Sequence, residues 1–178
     1  MSEVELEALL SDFDGQVRQA QANLDAQRRH AAGFRTLVEN WLGGLLDRIA
    51  QRLERSGHEA DVHLDAGLTV PEPALPTHHA ELRITPRALP GQRVVRPKDR
   101  QPLVRFQLDA TEGVVRVWAR DVSLDGRDVR VGYRNDPDGM PMGVPLDAFD
   151  ESVVWKHVLD TLGFALRQSA QEDLFIGE

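Results

Sequence analysis

The chain has 178 residues, of which 41% are hydrophobic, 28% charged and 6% aromatic, and its formal net charge is −8. This composition excludes a disordered chain and supplies enough apolar material for one packed core with an appendage. Cysteine is absent, which excludes a disulfide framework, a zinc ribbon and a thiol nucleophile.

The sequence also lacks the signals of membrane insertion and secretion. No run approaches the roughly 20 apolar residues that a bilayer crossing needs. The N-terminus, residues 1–5, is acidic where a secretory signal is basic. We therefore expect a cytoplasmic protein with no membrane partner.

Residues 1–57 are predicted to form a helical segment. They contain no proline and repeat apolar side chains with a heptad period. An unbroken helix of this length extends roughly 80 Å at about 1.5 Å per residue, which a single small domain cannot bury. We expect either a helical hairpin, broken at Asp14–Gly15, Gly33 or Gly43–Gly44, or a second copy that covers the apolar stripe.

The stripe changes width along this segment. Beyond Trp41 it broadens, which predicts docking on the protein's own core, whereas the narrower first half is typical of a seam between copies. We therefore predict a homo-oligomer. Its predicted contact residues are Leu10, Phe13, Val17, Leu24, Phe34, Val38 and Trp41.

Residues 58–178 are predicted to form an antiparallel-sheet domain. Alternating apolar and polar residues indicate five strands, over 60–70, 79–85, 103–109, 114–122 and 128–134. The proline- and glycine-rich stretch 135–143 is predicted to be a loop, and a helix is predicted from about Asp150. The fold class is therefore α+β, with the sheet covered by the second half of the first helix and by the C-terminal helix.

Clustered histidines suggest one candidate metal site. His63 and Asp65 share a strand face, and His79 and Glu81 share the corresponding face of the next strand. If these strands pair antiparallel, two imidazoles and two carboxylates converge, as they do in divalent-metal sites. Polar residues on the wet face of a sheet give the same pattern. His58 and His78 lie nearby, but no compact metal motif is present.

A basic island is the most distinctive polar feature of the sequence. Residues 87–105 contain six basic side chains and one aspartate in a proline-punctuated stretch. Such a long loop is often functional, and we interpret it as an arm that binds an acidic partner or a phosphate backbone, although a solvated linker has the same composition. Its predicted partner-binding residues are Arg87, Arg93, Arg96, Lys98 and Arg100.

Trp118 is a second candidate for partner binding. Strand alternation places it on the face of the sheet opposite Val115 and Val117, beside Arg116 and Arg120. Tryptophan and arginine are enriched at binding hot spots. If helices cover both faces of the sheet, Trp118 is instead a core residue.

Catalytic motifs are missing from the sequence. There is no nucleophile elbow and no phosphate-binding glycine loop. We therefore expect a non-enzymatic adaptor, scaffold, chaperone-like or regulatory protein without a cofactor, which binds itself and a protein partner. The alternatives are a nucleic-acid-associated protein that uses the arginine-rich loop and a metal-dependent hydrolase that uses the histidine face.

Overall fold

The computed structural model describes residues 3–65, 78–88, 100–135 and 139–166. Its elements, in chain order, are α1 (Glu3–Leu37), a π-helical turn (Val38–Leu42), α2 (Gly43–Arg55), β1 (Glu59–Asp65), β2 (His79–Thr85), β3 (Leu103–Asp109), β4 (Val114–Val122), β5 (Val129–Tyr133), β6 (Gly143–Pro145) and α3 (Glu151–Ala165). The predicted α+β architecture, with a long N-terminal helix, an antiparallel sheet and a C-terminal helix, is confirmed.

The sheet is an antiparallel meander in the order β1–β2–β3–β4–β5, and β6 pairs with β4 beside β5. The bounds of β2, β3 and β4 coincide with the predicted strands. The predicted continuation of the first strand through residue 70 lies outside the described residues. The short strand β6 was not predicted, because a glycine and a proline at its ends are typical of a turn.

The N-terminal helix does not fold back on itself. α1, the π-helical turn and α2 follow one another directly, with Gly15 and Gly33 inside α1. At the π-helical turn the Gly43 N–H donates to the Val38 carbonyl, five residues earlier. A Cβ on Gly43 would lie 3.1 Å from Leu64 Cδ1 of β1, so the glycine allows the helix and the strand to approach closely.

The second half of this helix packs on the sheet. Its stripe from Phe34 to Ala50 is buried against the apolar sheet face formed by residues such as Leu82, Phe106 and Val117. Val154 and Val158 of α3 join the same core cluster. All three described helices therefore lie on one face of the sheet.

Three residues predicted to contact another copy belong to the chain's own core instead. Phe34 and Val38 are buried, and Trp41 is half-buried and stacks on Phe149 at 5.8 Å between ring centroids. The free part of the stripe ends earlier than predicted because α1 also docks on the β3–β4 turn. There His30 Nδ1 lies 2.7 Å from the Ala110 carbonyl oxygen.

The C-terminal helix is held to the sheet by a polar network. Asp150 caps α3 by accepting the backbone N–H groups of Ser152 and Val153. Arg134, just after β5, donates two hydrogen bonds to the buried Asp121 carboxylate and one to the Thr161 hydroxyl of α3. Asp121 lies on β4, and Arg134 directly follows β5. Their bidentate ion pair therefore also fixes the end of β5.

His157 is a buried histidine on the same helix. The residue is 3% exposed, and within the described residues neither ring nitrogen has a hydrogen-bond partner. Burial, reinforced by the nearby Lys156 and Arg134 cations, lowers the pKa of His157 to about 4. The folded protein therefore holds this ring neutral.

The docking of α1 predicts a specific sensitivity at Gly113. This residue has a φ of +68°, and a Cβ on it would lie 2.7 Å from the His30 ring. Gly113→Ala should therefore lower the free energy of unfolding by more than the roughly 1–2 kcal/mol cost of a left-handed alanine. Gly126→Ala is the matched control, because Gly126 has a φ of +75° with nothing near its Cβ position. Equal losses in urea denaturation would contradict the docking contact.

His157 predicts a fall in stability with acidification. Its pKa is about 4 in the folded protein and 6.5 in the unfolded chain, so the unfolded state binds the extra proton as the pH falls from 6.5 to 4. His157 alone should lower the free energy of unfolding by about 3 kcal/mol across this window. Urea denaturation of His157→Gln should show a shallower pH dependence. The exposed His63→Gln is the control, and equal slopes for the two variants would refute the assignment.

Candidate interaction surfaces

The first candidate surface is the free segment of α1, residues 4–23, in which every side chain is exposed. This segment of 20 residues is about 30 Å long. Its large apolar side chains are between 48% and 74% exposed, namely Val4, Leu6, Leu9, Leu10, Phe13 and Val17. Large exposed apolar patches are typical of interaction sites, which makes this segment a candidate.

Of the predicted contact residues, Leu10, Phe13 and Val17 lie on the free segment, and Leu24 is half-buried just beyond it. The apolar residues of the segment form a stripe along the helix and do not surround it. None of the helices in residues 3–65 and 139–166 has the length and apolar character needed to cross a bilayer.

The second candidate surface is the open face, the side of the sheet opposite the helices. The strand register sets one row of side chains across it, one from each of the five consecutive strands. The row consists of His63, Glu81, Arg105, Trp118 and Tyr133. It combines a buried ion pair with two aromatic rings.

Glu81 is the completely buried member of this row. Its side chain is completely buried, and it accepts hydrogen bonds from Arg83 beside it on β2 and from Arg105 on β3, where Nε lies 2.7 Å from Oε2. Burial alone raises the pKa of the carboxyl, but the hydrogen bonds and charges of the two arginines outweigh it and lower the pKa of Glu81. The carboxylate is therefore ionised and already fully engaged.

Trp118 lies where the alternation of β4 predicts, on the face opposite the three described helices, and it is half-buried there. The arginine that contacts it is Arg105, whose guanidinium carbon lies 5.5 Å from the ring centroid. Tyr133 is the cross-strand neighbour of Trp118 on β5 and is 43% exposed. Tyr133 was not predicted as a site residue, because only the sheet register shows that it adjoins Trp118.

A groove of about 680 Å³ opens beside this row. It lies between the β3–β4 turn and the loop before β6, and its lining includes Gln107, Asp109, Tyr133 and Met140. Arg116 crosses it and donates to Asp109 Oδ2, to Glu112 Oε2 and to the Pro141 carbonyl. The groove therefore has a polar wall whose charges are mutually neutralised.

The basic island is described only at its two ends. Arg87 and Arg100 are exposed, whereas the predicted partner-binding residues Arg93, Arg96 and Lys98 lie outside the described residues. The Arg87 backbone N–H donates to His58 Nδ1. Burial and the Arg87 charge lower the pKa of His58, so this imidazole serves as a neutral acceptor.

The histidines do not all converge. β1 and β2 pair antiparallel as the metal hypothesis required, with His63 opposite Glu81 and Asp65 opposite His79, and the two histidine rings lie 5.6 Å apart. However, Glu81 is engaged by arginines, and His78 is buried beside Phe34. Within the four described ranges, no group of three or more histidines and carboxylates is arranged to hold a metal ion.

Comparisons with protein-family models, with curated proteins and with solved structures found no match to this chain.

The ion pair at Glu81 predicts a large effect of a small substitution. Glu81→Gln leaves Arg83 and Arg105 without their shared counter-charge. The free energy of unfolding should fall by about 3 kcal/mol, at the lower end of the range for breaking a buried ion pair because both arginines remain partly exposed.

A suitable control is Asp25→Asn, which removes an exposed ion pair with Arg28 at 3.8 Å. It should change the free energy of unfolding by less than about 0.5 kcal/mol. Both values follow from urea denaturation monitored by circular dichroism. A loss below about 1 kcal/mol for Glu81→Gln would mean that the ion pairs of Glu81 with Arg83 and Arg105 do not stabilise the fold.

Proposed function

We propose that this chain is a non-enzymatic interaction module that assembles with further copies of itself through the free segment of α1. It presents the open face of its sheet, with the basic island, to a protein partner. The observation that supports self-association most strongly is the apolar stripe of the free segment, which is exposed in the single chain.

The continuity of the stripe indicates how it would be covered. The heptad row that includes Leu10 and Val17 on the free segment continues as Val38 and Leu45 in the core. The same apolar surface therefore runs along both halves of the helical segment, but the sheet contacts only the second half. A second helix of the same pattern buries the remainder by knobs-into-holes packing.

Charge favours an antiparallel arrangement of the two helices. Residues 4–14 carry the carboxylates Glu5, Glu7, Asp12 and Asp14 and no lysine or arginine, whereas residues 15–30 carry three arginines and one aspartate. In an antiparallel pair the acidic stretch of one copy lies along the basic stretch of the other. A parallel pair in register places like charges side by side, which is unfavourable.

The open face has the residue types of a protein-binding site. Trp118, Tyr133 and Arg105 are of the three kinds most enriched at hot spots, and they adjoin one another in the sheet. The groove beside them gives an anchoring side chain a place to insert. The excess of positive charge in the basic island favours a partner with acidic residues at the rim of the contact.

The alternative, a phosphate backbone as ligand, gains less support from the described residues. Arg83, Arg105, Arg116 and Arg134 each pair with a carboxylate of the same chain, so they offer little uncompensated charge to a polyanion. This favours a protein partner. The metal-dependent hydrolase is not proposed, because the carboxylate central to that hypothesis, Glu81, is engaged by two arginines.

Leu10→Asp should weaken self-association. The substitution places a charge in the centre of the proposed seam, where desolvating it opposes assembly. We expect the mass measured by light scattering after size-exclusion chromatography to fall for this variant at micromolar concentration. Ala8→Asp is the control, because Ala8 lies about 160° around the helix from Leu10 and should leave the mass unchanged.

The outcome that would overturn the proposal is equally direct. If the wild-type protein has the mass of a single 19.9 kDa chain at micromolar concentration, the free segment does not mediate self-association. Equal behaviour of Leu10→Asp and Ala8→Asp in an oligomeric protein would place the contact elsewhere.

A further inference from the structure

The sheet has two edges in the described part of the chain, and they differ in character. β1 forms one edge and carries three carboxylates, Glu59, Asp61 and Asp65, which is a common protection against edge pairing. β5 and, beside it along β4, the short strand β6 form the other edge, and β5 has no acidic residue between Val129 and Tyr133. Natural proteins seldom leave an apolar edge strand uncovered.

The side chains of β5 make this edge apolar on the open face. Val129, Val131 and Tyr133 are 48%, 58% and 43% exposed, and their cross-strand neighbours on β4 are Val122, Arg120 and Trp118. The three side chains thus extend the aromatic end of the open face to the rim of the sheet. This strip is separate from the free segment of α1.

The backbone of the same three residues faces outward. Val117 accepts from the Arg134 N–H, and Asp128 accepts from the Ser123 N–H. Antiparallel pairing alternates between residues that bond inward and residues that bond outward. The even-numbered residues from Asp128 to Arg134 therefore bond toward β4, and the N–H and C=O groups of Val129, Val131 and Tyr133 point to the free edge.

We propose that β5 pairs antiparallel with β5 of a second copy, about a two-fold axis through Val131. In this register Val131 meets Val131 of the second copy, and each Val129 meets Tyr133 of the second copy. All outward N–H and C=O groups of these three residues are then satisfied, which gives six hydrogen bonds between the two chains. The two sheets become one continuous sheet.

Charge selects this register over its neighbours. With the axis at Val131, Arg130 faces Gly132 of the second copy and Asp128 faces Arg134 of the second copy. Moving the axis to Arg130 sets the two Arg130 side chains opposite each other. Moving it to Gly132 sets Arg130 opposite Arg134. Directly opposed like charges are destabilising in a sheet, so charge disfavours both of these shifts, less so the shift to Gly132 because Arg134 is already paired with Asp121. The axis at Val131 is also the one that pairs all three outward-facing residues of β5 with each other.

This self-complementarity is the reason to assign a second copy as the occupant of the edge. An isologous contact requires one patch to match itself about a two-fold axis, and β5 meets that requirement in its backbone groups, its apolar side chains and its charges. Because β5 and α1 are separate surfaces, a chain that uses both contacts about different two-fold axes forms assemblies of more than two copies.

The test uses full-length chains that carry Leu10→Asp, so that the α1 contact is removed and the β5 contact remains. We expect this protein to have twice the 19.9 kDa chain mass by light scattering at micromolar concentration. Adding Val131→Lys sets two lysines face to face at the two-fold axis and should halve the mass. Adding Val131→Thr, which keeps a β-branched side chain in the strand, should leave the mass unchanged. Circular dichroism melting curves verify that each variant is folded.

The possible results separate the two proposals. A Leu10→Asp protein with the mass of one chain overturns the β5 pairing and leaves the α1 contact intact. A mass that is the same for the Val131→Lys and Val131→Thr proteins also overturns it. A wild-type protein whose mass is halved by Val131→Lys but is insensitive to Leu10→Asp supports the β5 pairing and contradicts self-association through α1.

Discussion

The structure depends on one packing interaction, that of an amphipathic helix longer than the sheet it covers. From Phe34 to Ala50 the apolar stripe of the helix is buried against the sheet, and this burial provides the main stabilisation of the domain. Towards the N-terminus the stripe continues for 20 residues beyond the reach of the sheet. The His30 and Gly113 contact at the β3–β4 turn directs the helix as it leaves the domain.

All three described helices lie on one face of the sheet, and among the described residues the other face is stabilised by polar contacts. Glu81 holds Arg83 and Arg105, Arg105 lies over Trp118, and Arg116 joins the β3–β4 turn to the loop before β6. These contacts fix the side chains in the single chain. A preordered surface loses less conformational entropy on binding, which favours its use as an interaction site.

Most of the fold followed from local periodicity. Alternation gave the bounds of β2, β3 and β4, and the heptad pattern gave the long helix. The sequence pattern did not show where the buried part of the apolar stripe ends. Phe34 and Trp41 follow the same heptad repeat as Phe13, and only the position of the β3–β4 turn shows which of these residues the chain covers itself. The open-face row was partly predictable, because alternation placed Trp118, whereas the roles of Arg105 and Tyr133 depend on a register that spans distant segments.

Amide hydrogen exchange of residues 4–23 shows whether a second copy covers the free segment of α1. An isolated exposed helix of this length is marginal in water and opens readily, so its amides are protected only if another molecule packs on it. We expect protection that increases with protein concentration across residues 4–23 and stays constant in α2. Fast exchange of residues 4–23 that does not depend on concentration would contradict it.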